Sequence, residues 1–122
     1  MLIALYMILF LGGGNTGMLD FIAAAQDEVD VVMVKSDRRK EVLATLKETK
    51  KRTEAHNKMV KGASKDMNTV LSSAEVTDAD IDAIWDEYFA QRAAYNQDML
   101  DLRYQLKDQM TREEWQQVFA GD

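Results

Sequence analysis

A single charged side chain, Asp20, interrupts the first 25 residues, MLIALYMILFLGGGNTGMLDFIAAA. Residues 2–11 are unbroken aliphatic and aromatic, and a patch of Gly12, Gly13, Gly14, Asn15, Thr16 and Gly17 follows. Met18, Leu19 and the run from Phe21 to Ala25 then restore the apolar character. As one helix, residues 2–25 would reach roughly 36 Å at about 1.5 Å per residue, enough for the hydrocarbon core of a bilayer. The Leu, Ile and Phe residues between 2 and 11 favour insertion by roughly 2–4 kcal/mol, whereas an Asp at mid-bilayer costs about 3 kcal/mol, so Asp20 belongs at an interface. No Lys or Arg precedes the run, against a secretory signal. The reading is a transmembrane anchor over residues 1–25, partnered by the lipid bilayer, with a tethered domain over 26–122. Gly13-x-x-x-Gly17 has the small-residue spacing that lets membrane helices approach closely, and so implies another membrane helix or subunit. The same glycines also suit a kinked exit from the membrane.

The rest of the chain reads as all-α. Of 122 residues none is Pro or Cys, and beyond residue 17 only Gly62 and Gly121 are glycine. Without Cys there is no disulfide, thiolate metal site or cysteine nucleophile. Charge is segregated: residues 26–62 carry ten Lys/Arg against seven Asp/Glu, and residues 63–122 carry five against thirteen, within a net charge of −6. An acidic C-terminal half argues against nucleic acid as a partner, since phosphate binding needs a basic face. Halves of opposite sign favour antiparallel pairing, within one chain or between two.

Periodicity supplies the domain's outline. Val42, Leu46, Thr49, Thr53, His56, Val60, Ala63, Met67, Val70 and Ala74 step by four and three, a heptad-like seam that is polar at its centre. It predicts one long helix over about 26–73, with Lys47, Lys50, Lys51, Lys58 and Lys61 on the solvated face. Ser72-Ser73 weakens it, and Thr77 with Asp80 forms a capping-box start for a helix over about 78–109. On that helix Ile81, Trp85, Tyr88, Arg92, Tyr95, Met99, Leu102 and Leu106 form a second seam, so the two helices pair as an antiparallel hairpin. The start signal recurs 34 positions later as Thr111 with Glu114, opening a short helix over about 112–119.

These paired boxes, Val76-Thr77-x-x-Asp80 and Met110-Thr111-x-x-Glu114 around a helix bearing Arg92 and Arg103, resemble the Spy/CpxP family. Those are small periplasmic helical-hairpin proteins marked by a doubled Leu-Thr-x-x-Gln. The related membrane-anchored heavy-metal sensor and resistance proteins are similar too. Here an acid replaces Gln, and Asp78 and Arg112 stand where the family has Pro. The resemblance implies a dimerising hairpin on the extracytoplasmic side of a bacterial inner membrane, with a chaperone or metal-sensing role in stress response. The basic residues after the anchor, Lys35, Arg38, Arg39 and Lys40, point the other way under the positive-inside rule, although a long domain can translocate regardless of its charge.

Chemistry is sparse. His56 is the only histidine, and with Met59 one turn away it makes a soft-metal pair only where two chains converge. Asp78-x-Asp80-x-Asp82 opens like a calcium loop but has Ala83 where Gly is needed and Phe89 where the bidentate Glu belongs. No nucleophile elbow, phosphate loop or converging carboxylate pair is present, so neither an enzyme nor a cofactor is expected. Trp85, Tyr88, Phe89, Tyr95 and Trp115 make either a hairpin core or a protein-binding patch. The expectation is a non-enzymatic, membrane-tethered interaction domain, chaperone- or sensor-like. The alternatives are a single-pass accessory subunit stabilising a larger membrane complex, and a dimeric metal sensor. Partners are then a second copy of the chain or the members of a hetero-complex.

Overall fold

A computed structural model describes residues 16–119, with side chains from residue 17 onward. Four helices make up the described residues, with no strand among them: α1 Thr16–Val32, α2 Asp37–Leu71, α3 Asp78–Gln109 and α4 Arg112–Phe119. Helices α2 and α3 form the antiparallel hairpin, and α1 and α4 pack together across its open end.

The anchor over 1–25 finds no support among the described residues, and its second part, residues 16–25, needs correcting. No helix among the described residues is long and apolar enough to cross a membrane. Residues 16–25 are instead the first part of α1, which runs unbroken through the expected domain boundary at residue 25. Ile22, Ala25, Val29 and Met33, at steps of three and four, are all buried, whereas Asp20, Asp27, Glu28 and Asp30 face solvent. An apolar stripe of this kind is buried by packing on a neighbouring helix, and here the neighbour is α2. Residues 1–15, including the apolar run and Gly13, lie outside the described residues.

The single long helix over 26–73 is corrected as well. The chain leaves helical geometry at Met33 and restarts at Asp37, with Ser36 as N-cap in extended conformation. The Ser36 hydroxyl accepts the Arg39 N–H at 3.3 Å and donates to the Val34 carbonyl at 3.0 Å. A straight continuation would carry the α1 stripe away from the hairpin into water. The break turns it back, and the ion pair of Arg39 with Asp30 (2.6 Å) spans the bend.

Helix α3 starts in a complete capping box: Asp80 N–H donates to Thr77 Oγ1 at 3.2 Å, and Thr77 N–H donates to Asp80 Oδ2 at 3.1 Å. The same reciprocal bonds open α4, with Glu114 N–H to Thr111 Oγ1 at 3.1 Å and Thr111 N–H to Glu114 Oε1 at 2.8 Å. Each N-cap contributes about 1 kcal/mol and fixes where its helix begins. Glu114 does a second job, since both its oxygens also meet the Arg38 guanidinium, Oε2 at 2.8 Å. Arg38 further donates to the Gln109 carbonyl at 3.4 Å. One carboxylate thus joins the starts of α2 and α4 to the end of α3.

Burial along the hairpin is divided in two. At the open end Ile22, Ala25, Val29, Met33, Val42, Leu46, Leu106 and Met110 form the main core. Nearer the turn, Val60 and Tyr88 form a smaller one with Met59, Ala63 and Trp85 against them. Between the two lie buried Thr45, Thr49, Thr53 and His56.

Candidate binding groove

The polar belt explains why the hairpin surface opens where it does. Small hydroxyl side chains fill less of the space between two helices than Leu or Ile would. Each threonine satisfies its own hydroxyl on the preceding turn: Thr45 to the Glu41 carbonyl at 3.0 Å, Thr49 to that of Thr45 at 2.8 Å, Thr53 to that of Thr49 at 2.9 Å. Thr45 Oγ1 also lies 2.9 Å from Gln109 Oε1, and Thr53 Oγ1 accepts from the Tyr95 hydroxyl at 3.0 Å. On the α1 side this belt ends in a groove of about 680 Å³. Met18, Phe21 and Ile22 of α1 form one wall, and Met99, Leu100, Leu102 and Leu106 of α3 face them. Trp115 and Phe119 of α4 close the end, and Leu46 and Thr49 of α2 make the floor.

Side-chain order in the groove comes from aromatic contacts. Phe21 stacks on Phe119 at 5.8 Å, Phe119 meets Trp115 at 4.6 Å, and the Arg103 guanidinium lies 5.6 Å above the Trp115 ring. Phe21 keeps 51 % of its surface exposed and Leu100 49 %. Apolar groups at a concave, half-open site are worth about 25 cal/mol for each Å² a ligand removes from water. The arrangement can therefore bind an apolar side chain or a short helix face. Among the described residues of the lining the titratable side chain is Arg103.

The residues singled out by sequence fall in three places. Trp85, Tyr88 and Phe89 cluster near the turn, with ring centroids 5.4–6.1 Å apart, Tyr88 buried and Phe89 47 % exposed. Tyr95 sits in the middle, stacked face to face on His56 at 4.0 Å and 10°. Trp115 is at the other end, in the groove. These aromatics do not form one patch. Sequence reasoning missed Met18 and Phe21 because the first turns of α1 were counted as membrane, and Leu100 because it stands outside the α3 seam of Tyr95, Met99 and Leu102. The signal was present in the Met18, Ile22, Ala25, Val29 periodicity.

Met59 packs against the Val60–Tyr88 cluster, and among the described residues no group of three or more His, Asp or Glu side chains is placed to hold a metal ion. The His56 Nδ1 is buried with no hydrogen-bond partner. Burial, helped by the positive charge of Arg92, lowers its pKa and keeps the ring neutral. Gly17 is exposed on the first turn of α1, with open space where a side chain would stand. Gly13 lies outside the described residues, so the Gly-x-x-x-Gly pair is represented by Gly17 alone. Comparison of the chain with protein-family models, curated proteins and solved structures returned no match.

Proposed function

We propose that this chain is a non-enzymatic helical interaction domain, chaperone-like in that it takes up apolar segments of other proteins. The observation that carries the reading is the groove between α1, α3 and α4. Three separate elements contribute its apolar walls, and Phe21 and Leu100 are left about half exposed by the described residues. An open groove of this kind suits the helix-in-groove mode, in which one apolar stripe of a partner is buried and its polar face stays wet. The resemblance of the two capping boxes to the Spy/CpxP family points the same way. A membrane tether is not required by this reading, because the apolar run of residues 2–11 is by itself half the roughly 20 residues that a bilayer span needs.

The test is aggregation of a reduced, unfolding substrate protein followed by light scattering, with the full chain added at equimolar concentration. The wild-type chain delays aggregation, and Met18→Ser with Phe21→Ser, both on the α1 wall, removes most of the delay while the melting temperature stays within a few degrees. Undiminished protection by the double variant would mean that the groove is not the binding surface. Absence of protection by the wild type would reject the function itself.

A further inference from the structure

Helix α3 carries a second heptad-spaced row, 100° around from the one that packs on α2. Asp82, Asp86, Phe89, Ala93, Asn96, Leu100, Arg103 and Lys107 step by four and three without a break, and every one of them is exposed. The row runs over about 38 Å of one helix face, with Phe89, Ala93 and Leu100 at its centre and charges confined to its ends. Its chemistry is ordered along the helix: two acids, then Phe89 and Ala93, then Asn96 and Leu100, then two bases. Phe89 and Leu100 are 47 % and 49 % exposed, Phe89 packed on Trp85 and Tyr88 and Leu100 at the edge of the groove, so each keeps about half its apolar surface for a partner.

The row reads the same backwards with charge inverted. About a point between Ala94 and Tyr95, Asp82 is as far from the centre as Lys107, Asp86 as Arg103, Phe89 as Leu100 and Ala93 as Asn96. Two copies of α3 laid antiparallel across a two-fold axis at that point would meet acid to base at both ends and Phe89 to Leu100 inside them, with the small Ala93 against Asn96 at the centre. Trp85 and Tyr104, the latter 61 % exposed, are related by the same symmetry and flank the seam. A two-fold interface demands a self-complementary surface of this kind. We infer that this face of α3 is where a second copy of the chain docks, as an isologous antiparallel pair.

Two further observations fit that occupant. None of Asp82, Asp86, Arg103 or Lys107 is in an ion pair with a described residue; the ion pairs formed are Arg38–Glu114, Arg39–Asp30, Arg52–Glu48 and Arg52–Asp98. Beside the basic end lies a cavity of about 740 Å³, lined by Tyr104, Lys107, Arg112 and Trp115 among others. It is positioned to receive the first turns of the other α3, where Asp78, Asp80 and Asp82 cluster. Asn96, Leu100 and Arg103 also edge the groove described above, so pairing would line one edge of it with the second copy and leave its α1 and α4 walls to a client. The pairing stands independently of the chaperone-like reading.

Sedimentation equilibrium of the full chain, with complementary charge swaps, tests the register. The wild type is expected to dimerise at micromolar concentration and to weaken at least several-fold between 50 mM and 500 mM salt. Arg103→Glu with Lys107→Glu makes both ends of the seam acidic, and Asp82→Lys with Asp86→Arg makes both ends basic. Each double variant alone should be monomeric, its dimerisation weakened tenfold or more, and an equimolar mixture of the two should recover a dimer of wild-type affinity. Because Arg103 also covers Trp115, the single pair Lys107→Glu and Asp82→Lys repeats the experiment without touching that contact. A monomeric wild type, variants that dimerise like the wild type, or a mixture that does not recover would each overturn the proposal.

Discussion

Val29 and Val31 lie two residues apart on α1 and offer the sharpest test of how that helix is used. Val29 is fully buried, at 0 % exposure, whereas Val31 is 81 % exposed. Changing either to Ala deletes the same two methyl groups from the same helix. At Val29 the lost transfer energy is about 1.6 kcal/mol, from roughly 0.8 kcal/mol per buried methylene-sized group. The space left between Ile22, Val42 and Leu46 adds about 1 kcal/mol, since a packed core closes only partly. Alanine's better helix propensity returns about 0.5 kcal/mol. The net cost is about 2 kcal/mol. At Val31 only the propensity change acts, so Val31→Ala is neutral or stabilises by about 0.5 kcal/mol. For a chain of this size 1 kcal/mol moves the midpoint by about 4 °C, so the two variants should differ by roughly 10 °C in thermal unfolding of the full chain by circular dichroism. The urea slope should be unchanged, because both variants expose the same surface on unfolding. Equal midpoints would refute the docking of α1 through this stripe, and with it the groove that α1 helps to build.

Two titrating groups give further expectations. The Arg38 guanidinium and the Thr111 N–H hold the Glu114 carboxyl down to about 2 against an ordinary 4.5. A lowered carboxyl contributes stability in full above its unfolded value and loses it as pH falls toward the folded one. Melting temperature should therefore drop between pH 5 and pH 2, and Glu114→Gln should flatten that slope while costing about 1 kcal/mol at pH 7, solvent screening of the half-exposed Arg38 included. His56 behaves in the same direction at higher pH: its ring is held neutral by burial and by Arg92, so protonation is disfavoured in the folded chain and stability falls as pH drops below 6.5. His56→Leu, which also removes the unpartnered Nδ1, should raise the melting temperature at pH 5.5 by more than at pH 8; an identical gain at both would show that the ring's charge plays no part.

How much could be read from the chain differs from helix to helix, for a physical reason in each case. Helices α3 and α4 run Asp78–Gln109 and Arg112–Phe119, the spans that the Thr77 and Thr111 signals suggest. A reciprocal box defines a first turn from four residues alone, without help from the rest of the fold. Ser36 is a weaker signal, because Arg39 stands at the position where Glu or Gln would close the box. The break before α2 is set instead by tertiary contacts, Arg39 to Asp30 and Arg38 to Glu114, which pair residues 9 and 76 positions apart. The stripe of α1 was hidden by composition: Phe21, Ala23 and Ala24 on its open face are as apolar as the residues it buries, and average hydropathy cannot separate the two. The groove was illegible for the same reason, as its walls come from three elements distant in sequence. The polar centre of the α2 seam, by contrast, was plain from Thr49, Thr53 and His56, all of which are buried.

The charge segregation takes on a different meaning once the helices are placed. A basic half and an acidic half would be expected to neutralise each other across the hairpin, yet only Arg38–Glu114 and Arg52–Asp98 join the two among the described residues. Both involve a half-exposed arginine, and exposed pairs contribute at most about 1 kcal/mol. The first three turns of α3 meanwhile hold Asp78, Asp80, Asp82, Asp86 and Glu87, none of them in an ion pair with a described residue. Of the five bases in residues 63–122, three, Arg103, Lys107 and Arg112, gather around one cavity at the opposite end. The separation that matters therefore runs along α3 rather than between the halves of the chain. Intramolecular folding cannot bring the two ends of a straight 32-residue helix together, and like charges concentrated at each end raise the cost of leaving them unneutralised. An antiparallel copy satisfies both ends at once, and places Phe89 and Leu100 out of water in the same step.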